Sequence, residues 1–204
     1  MDVAFSTALG FALTSLLIEL TPGPNMTYLA LVAVQAGRRA GYAAVAGVAL
    51  GLGVIGLATA FGLSAVISAS PILYGALRWL GVAYIVYLAW DAWRDSARLN
   101  EVPVEPAARF FVRGLITNLL NPKAAIFYIA VLPTFIDPAF HPAGQAITLS
   151  VIYVLVATTM HAMIVTGASL LRPVLANKRV MTIAGQAFAL ALVGVAVWIA
   201  WSTR

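Results

Sequence analysis

The chain has 204 residues, 62% of them hydrophobic and 9% charged, with a mean hydropathy of +0.97. A soluble domain carries about 25% charged residues, so a soluble fold and a disordered chain are both excluded and the membrane is left as the solvent. A net charge of +5 would point a soluble protein towards nucleic acid; in a membrane chain it reads as basic loops gathered on one face, with no nucleic-acid partner.

No cysteine is present, which removes disulfides and thiolate chemistry, and the two histidines do not make a metal site by themselves. The chain starts Met1-Asp2, has no Lys or Arg before Arg38, and carries Glu19 in its first apolar run. Residues 1–37 therefore read as mature protein and not as a secretory signal, and no lipidation motif is visible.

A membrane-crossing helix needs roughly 20 apolar residues, and six stretches meet or approach that length. In chain order they are residues 3–36, interrupted at Pro22-Gly23-Pro24; 42–67; 72–93; 110–136, interrupted at Asn121-Pro122-Lys123; 146–171; and 180–201. The polar stretch 94–109 separates the third from the fourth. The expectation is an all-α membrane protein, a six-helix polytopic bundle in one domain over residues 1–204. Repeat one covers about 1–94, a cytoplasmic loop 95–109, and repeat two 110–204. The connections after the odd-numbered spans hold Arg38 and Arg39, then Arg94, Arg98, Arg109 and Arg113, then Arg172, Lys178 and Arg179, with Arg109 and Arg113 counted at the mouth of the fourth span. The opposite connections, 68–70 and 137–144, hold no Lys or Arg. The bias of basic loops towards the cytoplasm predicts both termini on the periplasmic side.

Placing Pro22 on Pro122 puts Phe11 on Phe111 and Gly37 on Asp137. Each half then opens with a broken span and continues with two more, so an odd span count inverts one half relative to the other. Prolines are common in membrane helices, and the match rests on break position and span count. From residue 110 to 121 is about 11 residues, roughly 16 Å of helix, about half of a 30 Å hydrocarbon core. Both breaks are predicted near the midplane. Carbonyls freed by proline there face protein or a cavity, not lipid.

The run Leu20-Thr-Pro-Gly-Pro-Asn-Met26, followed by Gln35-Ala-Gly-Arg-Arg-Ala-Gly41, resembles the lysine-exporter (LysE/RhtB) family of bacterial amino-acid exporters. The likeness continues in Leu77-Arg-Trp-Leu-Gly-Val-Ala-Tyr-Ile-Val-Tyr-Leu88, Gly114-Leu-Ile-Thr-Asn-Leu-Leu-Asn-Pro-Lys-Ala125 and Leu132-Pro-Thr-Phe-Ile-Asp-Pro138. The resemblance implies secondary-active export of neutral or basic amino acids, such as threonine, homoserine, leucine or lysine. It also implies the bacterial inner membrane and drive by the proton motive force. Glu19 departs from the uncharged residue of many relatives, and Arg78 stands where lysine is common.

An amino-acid substrate carries a carboxylate and an ammonium. Helix restarting after Pro24 offers the amides of Asn25, Met26 and Thr27 to the carboxylate, and the half-helix ending near Thr21 offers carbonyls to the ammonium. Thr21, Pro22, Gly23, Pro24, Asn25, Asn118, Asn121, Pro122 and Lys123 form the candidate substrate site, although Thr21 and Asn25 equally suit capping. Glu19 is the candidate for the coupling proton, because a charge in the membrane interior costs about 2.5–3.5 kcal/mol or more. Meeting breaks bring Glu19 towards Lys123, where a structural ion pair is the alternative to a functional one. His161 reads as a packed residue bonded to a neighbouring helix in preference to a proton relay. Ala43, Gly47 and Gly51 form a small-residue stripe for close helix approach. No catalytic residue, metal or cofactor is called for. The partners are the substrate, protons and lipid, with homo-oligomerisation left open. A carrier of another small solute or ion is the alternative function. A metal carrier wants several acidic or histidine ligands in the bundle, and no hydrolase triad or metal-ligand helix motif is visible.

Overall fold

The computed structural model describes residues 3–20, 23–62, 106–137 and 139–171, with isolated positions between 70 and 93 and between 183 and 197. The predicted third and sixth spans, the polar stretch 94–105, and Thr21, Pro22, Arg78, Arg172, Lys178 and Arg179 lie wholly or largely outside the described residues. Each described element is helical: α1 (Phe5–Leu20), α2 (Pro24–Gln35), α3 (Arg38–Ala60), α4 (Ala107–Leu119), α5 (Pro122–Ile126) and α6 (Pro142–Leu171).

Both predicted interruptions are real bends. α1 and α2 meet at 62°, and α4 meets the segment from Lys123 to Phe135 at 50°. Proline at the first position of α2 and of α5 explains the restart: it has no amide to give, and its φ already suits a helix start. α3 and α6 are each long and apolar enough to cross a membrane.

Several boundaries differ from expectation. α3 begins at Arg38, so Arg38 and Arg39 occupy its first turn and not a loop. Gly37 permits this tight entry at φ 88°, a conformation that a side chain disfavours. α3 runs to Ala60, where Gly62, at φ 91°, donates to the Thr59 carbonyl and closes the end; the rest of the expected span, 63–67, lies outside the described residues. α4 starts at Ala107 and α6 at Pro142, each a few residues early. The rest of the second broken span is not uniform α-helix. It passes through a π turn (Phe127–Val131) into a 3₁₀ turn (Leu132–Phe135), where Pro133 has no amide to continue the regular ladder.

α1 shows why the sequence needs lipid on one side. Phe5, Leu9, Leu13, Leu17 and Leu20 are exposed, while Phe11, Ser15 and Glu19 are buried at every fourth position. Two hydroxyls on this helix bond back to its own backbone, Thr14 Oγ1 donating to the Gly10 carbonyl at 2.9 Å and Ser15 Oγ to the Phe11 carbonyl at 2.8 Å.

The small-residue stripe on α3 seats α4. A Cβ on Gly47 would run into the Phe111 carbonyl, one on Gly114 into the Ala44 carbonyl, and one on Gly51 would lie 2.8 Å from Asn118 Nδ2. Pairing of 44 with 114 and of 51 with 118 makes α3 and α4 parallel. α6 runs antiparallel to α3, since Gly41 abuts Val165 and Gly56 abuts Ser150. The starts of α3 and α4 and the end of α6 therefore share one end of the bundle. At the other end Gln145, fully buried, accepts from the Asp137 amide at 3.0 Å and donates to the Asp137 carbonyl at 2.8 Å, pinning the second broken span to the start of α6.

Candidate functional site

The two breaks meet. A Cβ on Gly23 would stand 3.2 Å from Lys123 Cδ, so the missing side chain at the first break is what lets the lysine stem of the second lie across it. Asn25 Nδ2 donates to Asn118 Oδ1 at 2.8 Å, a buried bond from the first turn of α2 to the last turn of α4. Asn118 is thus a clamp between the broken spans, backed by Gly51 of α3. Asn121 caps α5, its Oδ1 accepting from the Lys123 amide at 3.0 Å.

Two sequence expectations are corrected here. Thr27 is not among the free amides: its N–H closes the first turn of α2 on the Gly23 carbonyl at 3.1 Å. Those of Asn25 and Met26 precede that bond. Asn25 is not a cap either, since the cap position is Gly23 and the Asn25 side chain crosses to Asn118.

Glu19 and Lys123 are brought together. Lys123 Nζ lies 3.9 Å from Glu19 Oε1. Glu19 sits in the last turn of α1, where the helix dipole is negative; Lys123 sits in the first turn of α5, where it is positive. Each charge opposes its own helix end, so each needs an opposite charge from elsewhere. Two residues of α6 complete the cluster. Tyr153 donates from its hydroxyl to Glu19 Oε1 at 2.9 Å, and His161 Nε2 lies 3.3 Å from Glu19 Oε2. Glu19 is 4% exposed and His161 1%.

Tyr153, Ala157 and His161 are one face of α6 at a spacing of four. Tyr153 and His161 flank the centre of this 30-residue helix, which places the cluster at mid-depth of a long span. The Tyr153 ring is held by stacking on Phe127 at 3.9 Å. Tyr128 beside it anchors its hydroxyl on the Leu52 carbonyl at 2.9 Å. The π turn therefore has a purpose in packing: it supplies consecutive aromatic residues that aim Tyr153 at Glu19.

Glu19, Gly23, Asn25, Met26, Asn121, Lys123 and Tyr153 enclose a space of about 10 Å³, the scale of one water molecule. Of the sequence candidates, Gly23, Pro24, Asn25, Asn118, Asn121, Pro122, Lys123 and Glu19 fall at this junction. Thr21 and Pro22 lie outside the described residues. Tyr153 carried no sequence signal beyond sharing a helix face with His161. His161 was legible as a buried polar residue, but its partner was not.

The family described as LysE type translocator matches residues 16–203. An uncharacterized membrane protein of Pseudomonas aeruginosa is 34% identical, with 78% of this chain and 79% of the relative covered. A homoserine/homoserine lactone efflux protein of Salmonella typhi is 30% identical, with 76% of each chain covered. A leucine efflux protein of Klebsiella pneumoniae is 29% identical over 92% of each. No solved structure matches the chain.

Proposed function

Because the chain belongs to the LysE type translocators, and is thereby a membrane transporter and not an enzyme, we propose that it exports amino acids across the bacterial inner membrane, driven by the proton motive force. The observation that carries this reading is the contact of Glu19 with Lys123 where the two breaks meet. An amino acid presents a carboxylate and an ammonium, and this junction presents a lysine and a carboxylate in complementary order. Lys123 and the amides of Asn25 and Met26 receive the substrate carboxylate; Glu19 receives the ammonium. Asn118, Asn121, Gly23 and Pro24 hold the two half-helices in register around the substrate. The space enclosed is far smaller than an amino acid, so binding requires the broken spans to part. Names of the relatives favour homoserine and leucine as the first substrates to try.

Counterflow in proteoliposomes tests the reading. Vesicles loaded with unlabelled leucine, homoserine, threonine or lysine are expected to accumulate the matching labelled amino acid transiently above equilibrium. A panel in which no amino acid does so ends the proposal.

The shared end of α3, α4 and α6 carries Arg38, Arg39 and Arg109, which supports a cytoplasmic placement of that end. Both termini then face the periplasm. Of single cysteines at Ser70 and Arg98, only the one at Ser70 is expected to react with an impermeant thiol reagent added outside intact cells, and labelling of both from outside overturns this orientation.

A further inference from the structure

His161 stands behind Glu19. It touches Oε2 at 3.3 Å, while Lys123 and Tyr153 approach Oε1, and the space at the junction is lined by Glu19 but not by His161. One carboxylate thus divides two territories: a side facing the junction space and a side held by the imidazole ring. We propose that His161 holds the coupling proton, and that a protonated His161 and the ammonium of a bound amino acid compete for the single negative charge of Glu19. This rests on the amino-acid reading above and adds the residue that makes transport an exchange.

The physical reason is that a carboxylate is one charge. With a proton on Nε2, the imidazolium at Oε2 and Lys123 at Oε1 both draw on the one Glu19 charge, so an arriving ammonium would be a third cation at a single carboxylate. Without that proton, Glu19 is free to balance the ammonium while Lys123 balances the substrate carboxylate, and the buried charges cancel. When substrate enters, the His161 Nε2–H bond breaks and the proton leaves by way of the Glu19 carboxylate, 3.3 Å away, to water on the side from which the substrate came. When substrate leaves on the opposite side, a proton from that side re-forms the bond. No electron moves, and one proton travels inward for each amino acid outward. By linkage, protonation weakens substrate binding by the same factor that substrate weakens proton binding, typically about 5–150-fold.

Among the described residues, the titratable or charged groups on the elements around this ring are few. α1 brings Glu19, α5 brings Lys123, and α6 itself brings Tyr153. α2 carries Tyr28 and the π turn carries Tyr128. α3 carries Arg38, Arg39 and Tyr42 at the far end, where the Tyr42 hydroxyl bonds Thr166. His161 is a positioning residue for the proton, acting on substrate only through Glu19.

The decisive measurement uses the fact that the chain has two histidines, one of them, His141, exposed. In a His141→Gln protein, ring nitrogen NMR reports His161 alone. At mildly acidic pH, adding leucine or homoserine is expected to move the signal from imidazolium to neutral imidazole, with release of close to one proton per protein into weak buffer. An unmoved histidine signal on a protein that binds the amino acid overturns the inference and leaves the amino-acid reading standing; binding of no amino acid of the counterflow panel overturns both. His161→Gln is expected to lose the pH dependence of binding and to lose accumulation driven by a pH gradient at least about tenfold. Gradient-driven accumulation at the original level in His161→Gln also overturns it.

Discussion

Replacing Lys123 by Met is expected to abolish export while leaving the protein folded and inserted. The lysine is the cation that an arriving carboxylate meets at the junction, and Met keeps the length of the stem that lies over Gly23. Removing one partner of a buried ion pair costs about 3–5 kcal/mol when the other charge is left stranded. Here Glu19 keeps the Tyr153 hydroxyl at 2.9 Å and His161 at 3.3 Å, and the lysine side chain is 21% exposed and 3.9 Å away. The loss is therefore expected nearer to 1–3 kcal/mol, roughly that of an imperfectly satisfied buried polar group. Adding Glu19→Gln to Lys123→Met removes the remaining charge and is expected to restore most of that stability without restoring transport. Thermal melts in detergent beside counterflow in vesicles separate the two effects. A Lys123→Met protein that exports at the normal rate removes Lys123 from the substrate site, and a double variant no more stable than the single removes the buried pairing.

The second large effect is expected at Gly47. A Cβ there meets the Phe111 carbonyl and the Leu115 amide of α4, which are backbone atoms that cannot swing aside. Overpacking a core ordinarily costs about 1–3 kcal/mol; Gly47→Ala is expected at the upper end of that range. Gly47→Leu drives two helices apart and is expected to exceed about 4–5 kcal/mol, enough to consume most of a domain's stability. It also displaces Asn118 one turn further along α4, and with it the bond to Asn25. Gly53, with nothing within 4 Å of its added Cβ, is the control: Gly53→Ala is expected to be neutral or stabilising by up to about 1 kcal/mol, the helix-propensity difference. Melting temperatures of the three variants decide the matter, and a Gly47→Leu protein that melts with the wild type shows that α3 and α4 do not touch there.

The family reading, the all-helical class and the two broken spans were legible in the residues themselves, because each rests on local chemistry. Apolar length sets what a bilayer accepts, proline withdraws an amide wherever it stands, and a run such as Thr-Pro-Gly-Pro-Asn declares its break without reference to any neighbour. The small-residue stripe Ala43, Gly47 and Gly51 was legible as a close-approach face for the same reason. Its partner was not: that α4 fills it, in parallel, depends on residues more than 60 positions away. Pairing across the bundle made the larger difference at the site. Asn25 and Asn118 each read alone as a ligand or a cap, and only their contact shows a clamp between half-helices. His161 read as packing because a lone histidine on an apolar helix has no visible partner, and Tyr153 gave no polar signal at all. Both acquire their meaning from Glu19, on a helix more than 130 residues earlier. Sequence periodicity determines which side of a helix is buried, but an isolated charge carries no record of which helix will face it. That choice belongs to the packing of the bundle, where a buried carboxylate admits only arrangements that bring it a lysine, a hydroxyl or an imidazole.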